Sequence, residues 1–414
     1  VPLLNKTPTH PATLPHPSAP SAWSAARISL TAIFAVDGFL FASWVVRIPD
    51  VRAQVHASHS ALGLALLCLS AGAVAVMPVI GRLCVRFGSR RVTVAALALL
   101  TVAVALPPHT HSVLSLGAAL ALFGAGYGAA NVAMNSAAVE LVAELRRPVM
   151  PSFHAGYSLG GLLGASLGGL LAGPLTAGWA LALSGLFGLA VTAAAGTVLL
   201  REPRATAAVA PAATASGPLV PARYLVLLLG LTALFSSYGE GALADWATLH
   251  LTDDVHASAG LAAFGYAAYA FAMTAGRLGG TWLAMRFGPA RLMTAGGLTA
   301  SAGMLVAALA PSVPLVLAGF VLVGLGLANL FPLAIARAGQ EGGPHGVATA
   351  SMLGYGGMLI GPPVIGFLAD AASLPIALTT VAAAGAGAAA LAALAHRPRA
   401  RTRATTRATT GTAR

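Results

Sequence analysis

Between Arg91 and Glu140 the chain carries no Asp, Glu, Lys or Arg, and the same holds between Arg147 and Arg201 and between Arg291 and Arg337. Uncharged stretches of this length, built mainly from Ala, Leu, Gly and Val, have no means of clothing a surface that faces water. A helix rises about 1.5 Å per residue, so about 20 apolar residues cross a hydrocarbon core about 30 Å thick. Across all 414 residues, 57% are apolar and only 8% are charged. A soluble domain carries roughly 25% charged residues. The bulk of this chain therefore faces lipid, and the fold class is all-α integral membrane.

Twelve candidate spans follow. The first half holds 27–46, 61–81, 91–107, 113–136, 153–173 and 178–200; the second holds 223–247, 259–283, 291–310, 314–337, 346–369 and 374–395. Residues 25–200 and 223–396 are thus expected to form two six-helix bundles. The Pro-, Ala- and Ser-rich segment 201–222 reads as a cytoplasmic linker. Residues 1–24, rich in Pro, Ser and Thr, read as a disordered cytoplasmic tail and lack the apolar core of a signal peptide. Residues 397–414 read as a basic cytoplasmic tail.

A net charge of +12 invites a nucleic-acid reading, but the placement of the charge argues otherwise. With both termini inside, the inner connections hold Arg82, Arg86, Arg90, Arg91, Arg146, Arg147, Arg286, Arg291 and Arg337. The outer connections hold only Arg47 and Arg52. This is a positive-inside pattern. It places the chain as a multi-pass protein with the bilayer, and no nucleic acid, as its partner. Arginine in place of lysine, with abundant Ala and Gly, fits a GC-rich bacterial genome and hence the cytoplasmic membrane.

The two halves echo each other. "RFGSRR" (86–91) recurs as "RFGPAR" (286–291), "GYSLGGLLG" from Gly156 as "GYGGMLIG" from Gly354, and "GYGAAN" ending at Asn131 as "GLGLAN" ending at Asn329. Trp44 and Trp246 stand at a similar separation. Four echoes about 200 residues apart, in the same order, mark a duplication, and a six-plus-six repeat is the sequence mark of a transporter with its site at the pseudo-symmetry axis.

The stretch "GRLCVRFGSRR" resembles the loop signature of the major facilitator superfamily, and the resemblance extends over the whole chain. "ASWVVRIPDVR", "AMNSAAVELVAELRRPVMPSFHAGYSLGGLLG" and "EGALADWATLHL" resemble more narrowly the MosC- and YbjJ-like branch near the fucose permeases. The resemblance implies pseudo-two-fold bundles, transport by alternating access, and a monomer. It also implies that Gly81, Gly88 and Gly288 permit tight turns while Arg82, Arg86, Arg91, Arg286 and Arg291 pin the cytoplasmic helix ends. Val85 stands where the family signature usually has an acid, and Thr281 where many relatives have Asp, so that latch is expected to be differently paired. Fucose permeases carry a membrane carboxylate in the fourth span; Tyr127 stands near that place.

The charges left inside the apolar runs are the site candidates, because a charge near the bilayer centre is costly and is kept for a reason. Asp37 lies near the middle of the first span, facing either a partner or a water-filled cavity where it binds a proton. Glu240, in "EGALADW", echoes Asp37 in "DGFLFASW" as the acid before a glycine. Asp245 falls near the outer end of its span as part of an outer gate. Trp44 and Trp246 are either interfacial anchors or stacking platforms for a cyclic solute. Tyr127, Asn131 and Asn135 form one polar stripe at four-residue spacing, either bonding helices together or lining a cavity. Asn329 precedes Pro332, which frees a carbonyl in the tenth span. Tyr269, Met273 and Arg277 share one face of the eighth, with Arg277 toward the cytoplasm. His154 opens the fifth. The glycines of spans five and eleven are expected to form the sliding interface between the halves.

No nucleotide loop, zinc spacing or nucleophile triad is present in the sequence, and the two cysteines, Cys68 in an apolar run and Cys84 in a short basic loop, form no framework. No enzymatic activity, cofactor or metal is implied. The expected function is secondary transport of a small polar solute, sugar-, polyol- or inositol-like, with protons as the coupling ion. Drug or metabolite efflux on the same fold is the alternative, although the Gly-Pro element of drug antiporters is missing from span five. A membrane sensor is a third reading.

Overall fold

The computed structural model describes residues 24–57, 59–171, 174–201, 222–257 and 259–395. The N-terminal tail, most of the linker and the C-terminal tail lie outside the described residues, apart from Ser24 at the start of the first helix.

The first half contains α1 (Ala25–Gln54), α2 (His59–Phe87), α3 (Ser89–Ala103), α4 (Val113–Leu145), α5 (Met150–Leu170) and α6 (Ala177–Arg201). The second contains α7 (Ala222–Leu249), α8 (Ala259–Phe287), α9 (Pro289–Leu309), α10 (Val313–Leu327), α11 (Leu330–Ala371) and α12 (Leu374–Ala395). Helix α11 is broken at Gly343, where φ is 56° and ψ is −150°. Its first arm carries on from α10 as the tenth span, and its second arm is the eleventh. The result is twelve transmembrane helices in two six-helix bundles.

Local sequence explains the ends. Ser112 and Ser115 close a capping box on α4, satisfying N–H groups that a helix start leaves free. Gly88 and Gly288 join α2 to α3 and α8 to α9 at φ 88° and 82°. A side chain is strained in that region, and glycine is not. The tight turns expected at Gly88 and Gly288 are thus present, whereas Gly81, from which one was also expected, lies inside α2. Cys84 lies in α2 and is buried, because the helix runs three residues past it into what read as a loop.

In the first bundle α1 packs on α5 and α2 on α4; in the second α7 packs on α11 and α8 on α10. Large apolar side chains such as Phe271, Trp282 and Phe367 remain exposed on the outside, as a lipid-facing wall requires. The glycines of α5 and α11 correct the sequence-based expectation. Gly160 and Gly164 lie against the carbonyls of Ala35 and Phe39 in α1, and Gly357 and Gly361 against those of Leu234 and Tyr238 in α7. These small-residue faces draw backbones together within each bundle, so they are not a sliding surface between the halves. Other faces of α5 and α11 do meet the opposite bundle, through α8, α2 and α4.

Contacts between the halves gather at the arginine-rich end. Pro151 faces Gly280, Val139 faces Gly339, and Gly81 lies against Pro344 and Ala348. At this basic end Arg90 pairs with Glu144 at 3.1 Å and Ser89 donates to Glu140 at 2.7 Å. Both partners come from α4 of the same bundle. Among the described residues Arg82, Arg86, Arg91, Arg286 and Arg291 form no ion pair with an acidic side chain.

Candidate functional site

A cavity of about 390 Å³ lies between the two bundles. Spans one, four, seven and ten contribute, as a symmetric transporter predicts, and so do α2, α5, α8 and the second arm of α11. One wall is apolar, formed largely by Leu66, Leu67 and Leu69 of α2. The polar groups come from both halves and fall into two clusters.

The first cluster is aromatic. Tyr127 of α4 and Tyr157 of α5 share a hydrogen bond between hydroxyls at 2.7 Å. Phe41 of α1 stacks on Tyr127 with ring centroids 4.9 Å apart, and Tyr355 of α11 approaches Tyr127 edge-on at 5.9 Å. Below Tyr127 the polar stripe continues inward. Asn135 donates to the carbonyl of Asn131 at 2.8 Å, and His154 Nε2 donates to Asn135 Oδ1 at 3.2 Å. His154 and Asn131 line the cavity; Asn135 is fully buried behind them. The stripe therefore both bonds helices and lines the cavity.

The second cluster is an ion pair. Glu240 of α7 accepts from Arg277 of α8 at 3.4 Å. The Arg277 guanidinium also donates to Ser158 Oγ of α5 at 2.8 Å and to the Ala328 carbonyl at 3.4 Å. Its side chain is 9% exposed and that of Glu240 25%, so a solute in the cavity meets the carboxylate first, with the cation behind it. Arg277 was expected near the cytoplasm. Its long stem carries the charge back along α8 into the centre of the molecule.

Asp37 departs from expectation. It is fully buried, both carboxyl oxygens lack a hydrogen-bond partner among the described residues, and it is not among the residues lining the cavity. Neighbouring Gly38 lies against the backbone of Tyr157, which leaves Asp37 behind the tyrosine cluster. Glycine contacts also fix the correspondence between the halves. Matching Ala35 with Leu234 and Phe39 with Tyr238 sets Asp37 opposite Ser236 and Phe41 opposite Glu240. The echo of "DGFLFASW" in "EGALADW" is therefore not a structural equivalence. The Ser236 hydroxyl, like Asp37, is buried without a hydrogen-bond partner among the described residues.

Trp44 is 1% exposed and packs edge-on against Phe123; it is a core residue, neither anchor nor platform. Trp246 packs against Gly366 of α11, and Asp245 is exposed beside it at the end of α7. Tyr269 is buried, with its hydroxyl 3.6 Å from Met273 Sδ. Asn329 donates to the Gly276 carbonyl at 3.0 Å, tying α8 to α10. None of these five lines the cavity. The sequence reading passed over Tyr157 and Tyr355, although the paired phrases "GYSLGG" and "GYGGML" contain both.

The family model of the Major Facilitator Superfamily matches residues 28–246 and 229–413. The uncharacterized transporter y4wD of Sinorhizobium fredii is 35% identical over 351 residues, covering 82% of this chain and 90% of that one. The membrane protein MosC of Rhizobium meliloti is 31% identical over 366 residues, covering 87% and 88%. In fold the chain is similar to the crystal structure of the E. coli fucose:proton symporter FucP, with a TM-score of 0.73, 18% identity and coverage of 91% and 100%. Two tandem family matches and a duplicated twelve-helix architecture around one central cavity agree: the chain belongs to the major facilitator superfamily.

Proposed function

We propose that this protein is a secondary transporter that carries a small, uncharged polar solute across the bacterial inner membrane by alternating access, coupled to protons. The solute class is sugar-, polyol- or inositol-like. The observation that carries this reading is the charge balance of the cavity. Among its lining residues the carboxylate of Glu240 is matched by Arg277. A charged solute would enter without a spare counter-charge, and burying an unpaired charge is costly. Hydroxyl groups instead find acceptors and donors in Glu240, Asn131, Ser70, Ser237 and the tyrosines, and a ring finds the aromatic faces of Phe41 and Phe331.

Arginine placement makes the basic end cytoplasmic, with both termini inside and the protein a monomer, as the family implies. The halves meet at that end, so the cavity belongs to an outward-facing state. Asp37 and Glu240 are the candidate proton-binding groups, with Tyr127, Asn131 and His154 on the solute side. The fold likeness to a fucose:proton symporter is consistent with this assignment. The leucine wall of α2 favours a second reading, efflux of an amphipathic drug or metabolite. A thermal-shift screen of purified protein against sugars, polyols, amino acids and drugs at two pH values separates them. Stabilisation by a polyhydroxylated solute supports uptake of that class. Stabilisation by cationic or amphipathic drugs alone overturns it.

A further inference from the structure

We infer that Arg277 is a positioning residue that ties the state of Glu240 to the closure of the basic end, by holding Glu240 of its own bundle and Ser158 of the opposite bundle with one guanidinium. This rests on the alternating-access reading. Arg277 reaches three partners on three different helices: Glu240 Oε2 on α7 at 3.4 Å, Ser158 Oγ on α5 at 2.8 Å, and the carbonyl of Ala328 after α10 at 3.4 Å. Two of these belong to its own bundle, and Ser158 does not. Its contact with Ser158 therefore exists only in a state in which α5 and α8 are packed together.

A planar guanidinium has a fixed fork of donors, so its hydrogen bonds are not made independently. The side chain is 9% exposed, and Glu240 is its only carboxylate partner among the described residues. A solute hydroxyl or a proton that occupies Glu240 weakens the counter-charge that holds Arg277 in place. The guanidinium then loses the partner that orients its fork toward Ser158, and the bond that holds α5 against α8 is weakened. Occupancy of the cavity is in this way converted into opening of the opposite end. The repeat does not duplicate the device: in the register that matches Gly160 with Gly357 and Gly164 with Gly361, Ser158 corresponds to Tyr355.

The test reads bundle separation directly and needs no solute. Spin labels are placed at exposed outer positions of the two halves, His111→Cys and Pro311→Cys, with Cys68 and Cys84 replaced by alanine. The distance distribution of the full chain in nanodiscs is then recorded by double electron–electron resonance. Ser158→Ala is expected to raise the population with outer ends together by about tenfold or more, the effect of losing one hydrogen bond to a charged group. Glu240→Gln is expected to shift the population in the same direction. The double variant should shift it by less than the product of the two, because both changes act on one guanidinium. Arg277→Lys keeps the charge but lacks the fork, and should abolish the dependence on Ser158. Two exchanging distances that Ser158→Ala leaves unmoved, or shifts that simply multiply, overturn this inference alone. A single distance that no variant moves overturns alternating access as well.

Discussion

Replacing Asp37 with Asn changes one atom and removes one ionisable group, in a place where the structure makes the consequence calculable. Asp37 is fully buried on α1, and both its oxygens lack partners among the described residues. Among the described residues no ion pair involves it. An unpartnered buried polar group costs about 1–3 kcal/mol, and asparagine leaves a group of the same size equally unpartnered. The melting temperature should therefore stay within a few degrees. Transport should not. A proton moving inward supplies about 2.3 kcal/mol per 100 mV, which is roughly 50-fold accumulation when tenfold corresponds to about 1.4 kcal/mol. In proteoliposomes loaded at neutral pH and diluted into acidic buffer, the parent protein should concentrate its solute by up to that ratio. Asp37→Asn should reach a ratio of about 1 while solute counterflow, which needs no net proton movement, continues within a few-fold of the parent rate. An Asp37→Asn variant that still concentrates solute against its gradient refutes the assignment. Loss of both activities with an unchanged melting temperature refutes it too, since the residue would then serve the conformational cycle rather than the coupling.

Three further expectations concern the scaffold. Gly160→Leu places a side chain into the carbonyl of Ala35 and should cost at least ~1–3 kcal/mol by overpacking. Gly161→Ala, whose new carbon comes no closer than 3.7 Å to Gly38 O, should change stability by no more than about 0.5 kcal/mol; thermal unfolding in detergent compares the two. Gly288→Ala meets no neighbour within 4 Å yet must adopt φ 82° and ψ 148°, a region essentially reserved for glycine, so it should lose ~1–3 kcal/mol from backbone strain alone, again read as a melting shift. Trp44→Ala should cost ~3–5 kcal/mol as a core deletion and leave the solute Kd of the surviving folded protein within about twofold, whereas Phe41→Ala should raise the Kd with a smaller melting shift. Calorimetry with the solute identified by thermal shift distinguishes them.

The fold was legible because its cause is one-dimensional. Membrane crossing is set by the length of uncharged runs, and the helix ends by where Arg82, Arg86, Arg286 and Arg291 interrupt them. The turns at Gly88 and Gly288 were legible for a similar reason, since a local backbone demand names its residue. The site was legible where polar residues repeat along one helix face, as with Tyr127 and Asn131, and where a charge stands in an apolar run, as with Glu240. Arg277 was misplaced because its position along α8 gives the depth of its Cα and not of a charge that reaches back to Glu240. Trp44 was overvalued because aromatic residues at that depth serve as anchors, platforms or core, and burial against Phe123 is a property of the packed bundle.

The mistaken pairing of Asp37 with Glu240 shows where the duplication stops being a guide. Sequence echoes align the halves by their most recognisable letters, and an acid before a glycine is highly recognisable. Packing aligns them by backbone contact: the carbonyls of Ala35 and Phe39 meet α5 as those of Leu234 and Tyr238 meet α11. In that register Asp37 corresponds to Ser236 and Glu240 to Phe41, so each half places its acid where the other has none. The two copies have kept their scaffold and exchanged their chemistry. The first half holds an isolated carboxyl behind a tyrosine cluster; the second holds an ion pair on the cavity surface. On the proposed alternating-access cycle, one rocking motion would act on Asp37 by moving the helices that bury it and on Glu240 through its partner Arg277, whose bond to Ser158 crosses the bundles. Two acids in different surroundings, one in each half, can then answer to a single motion.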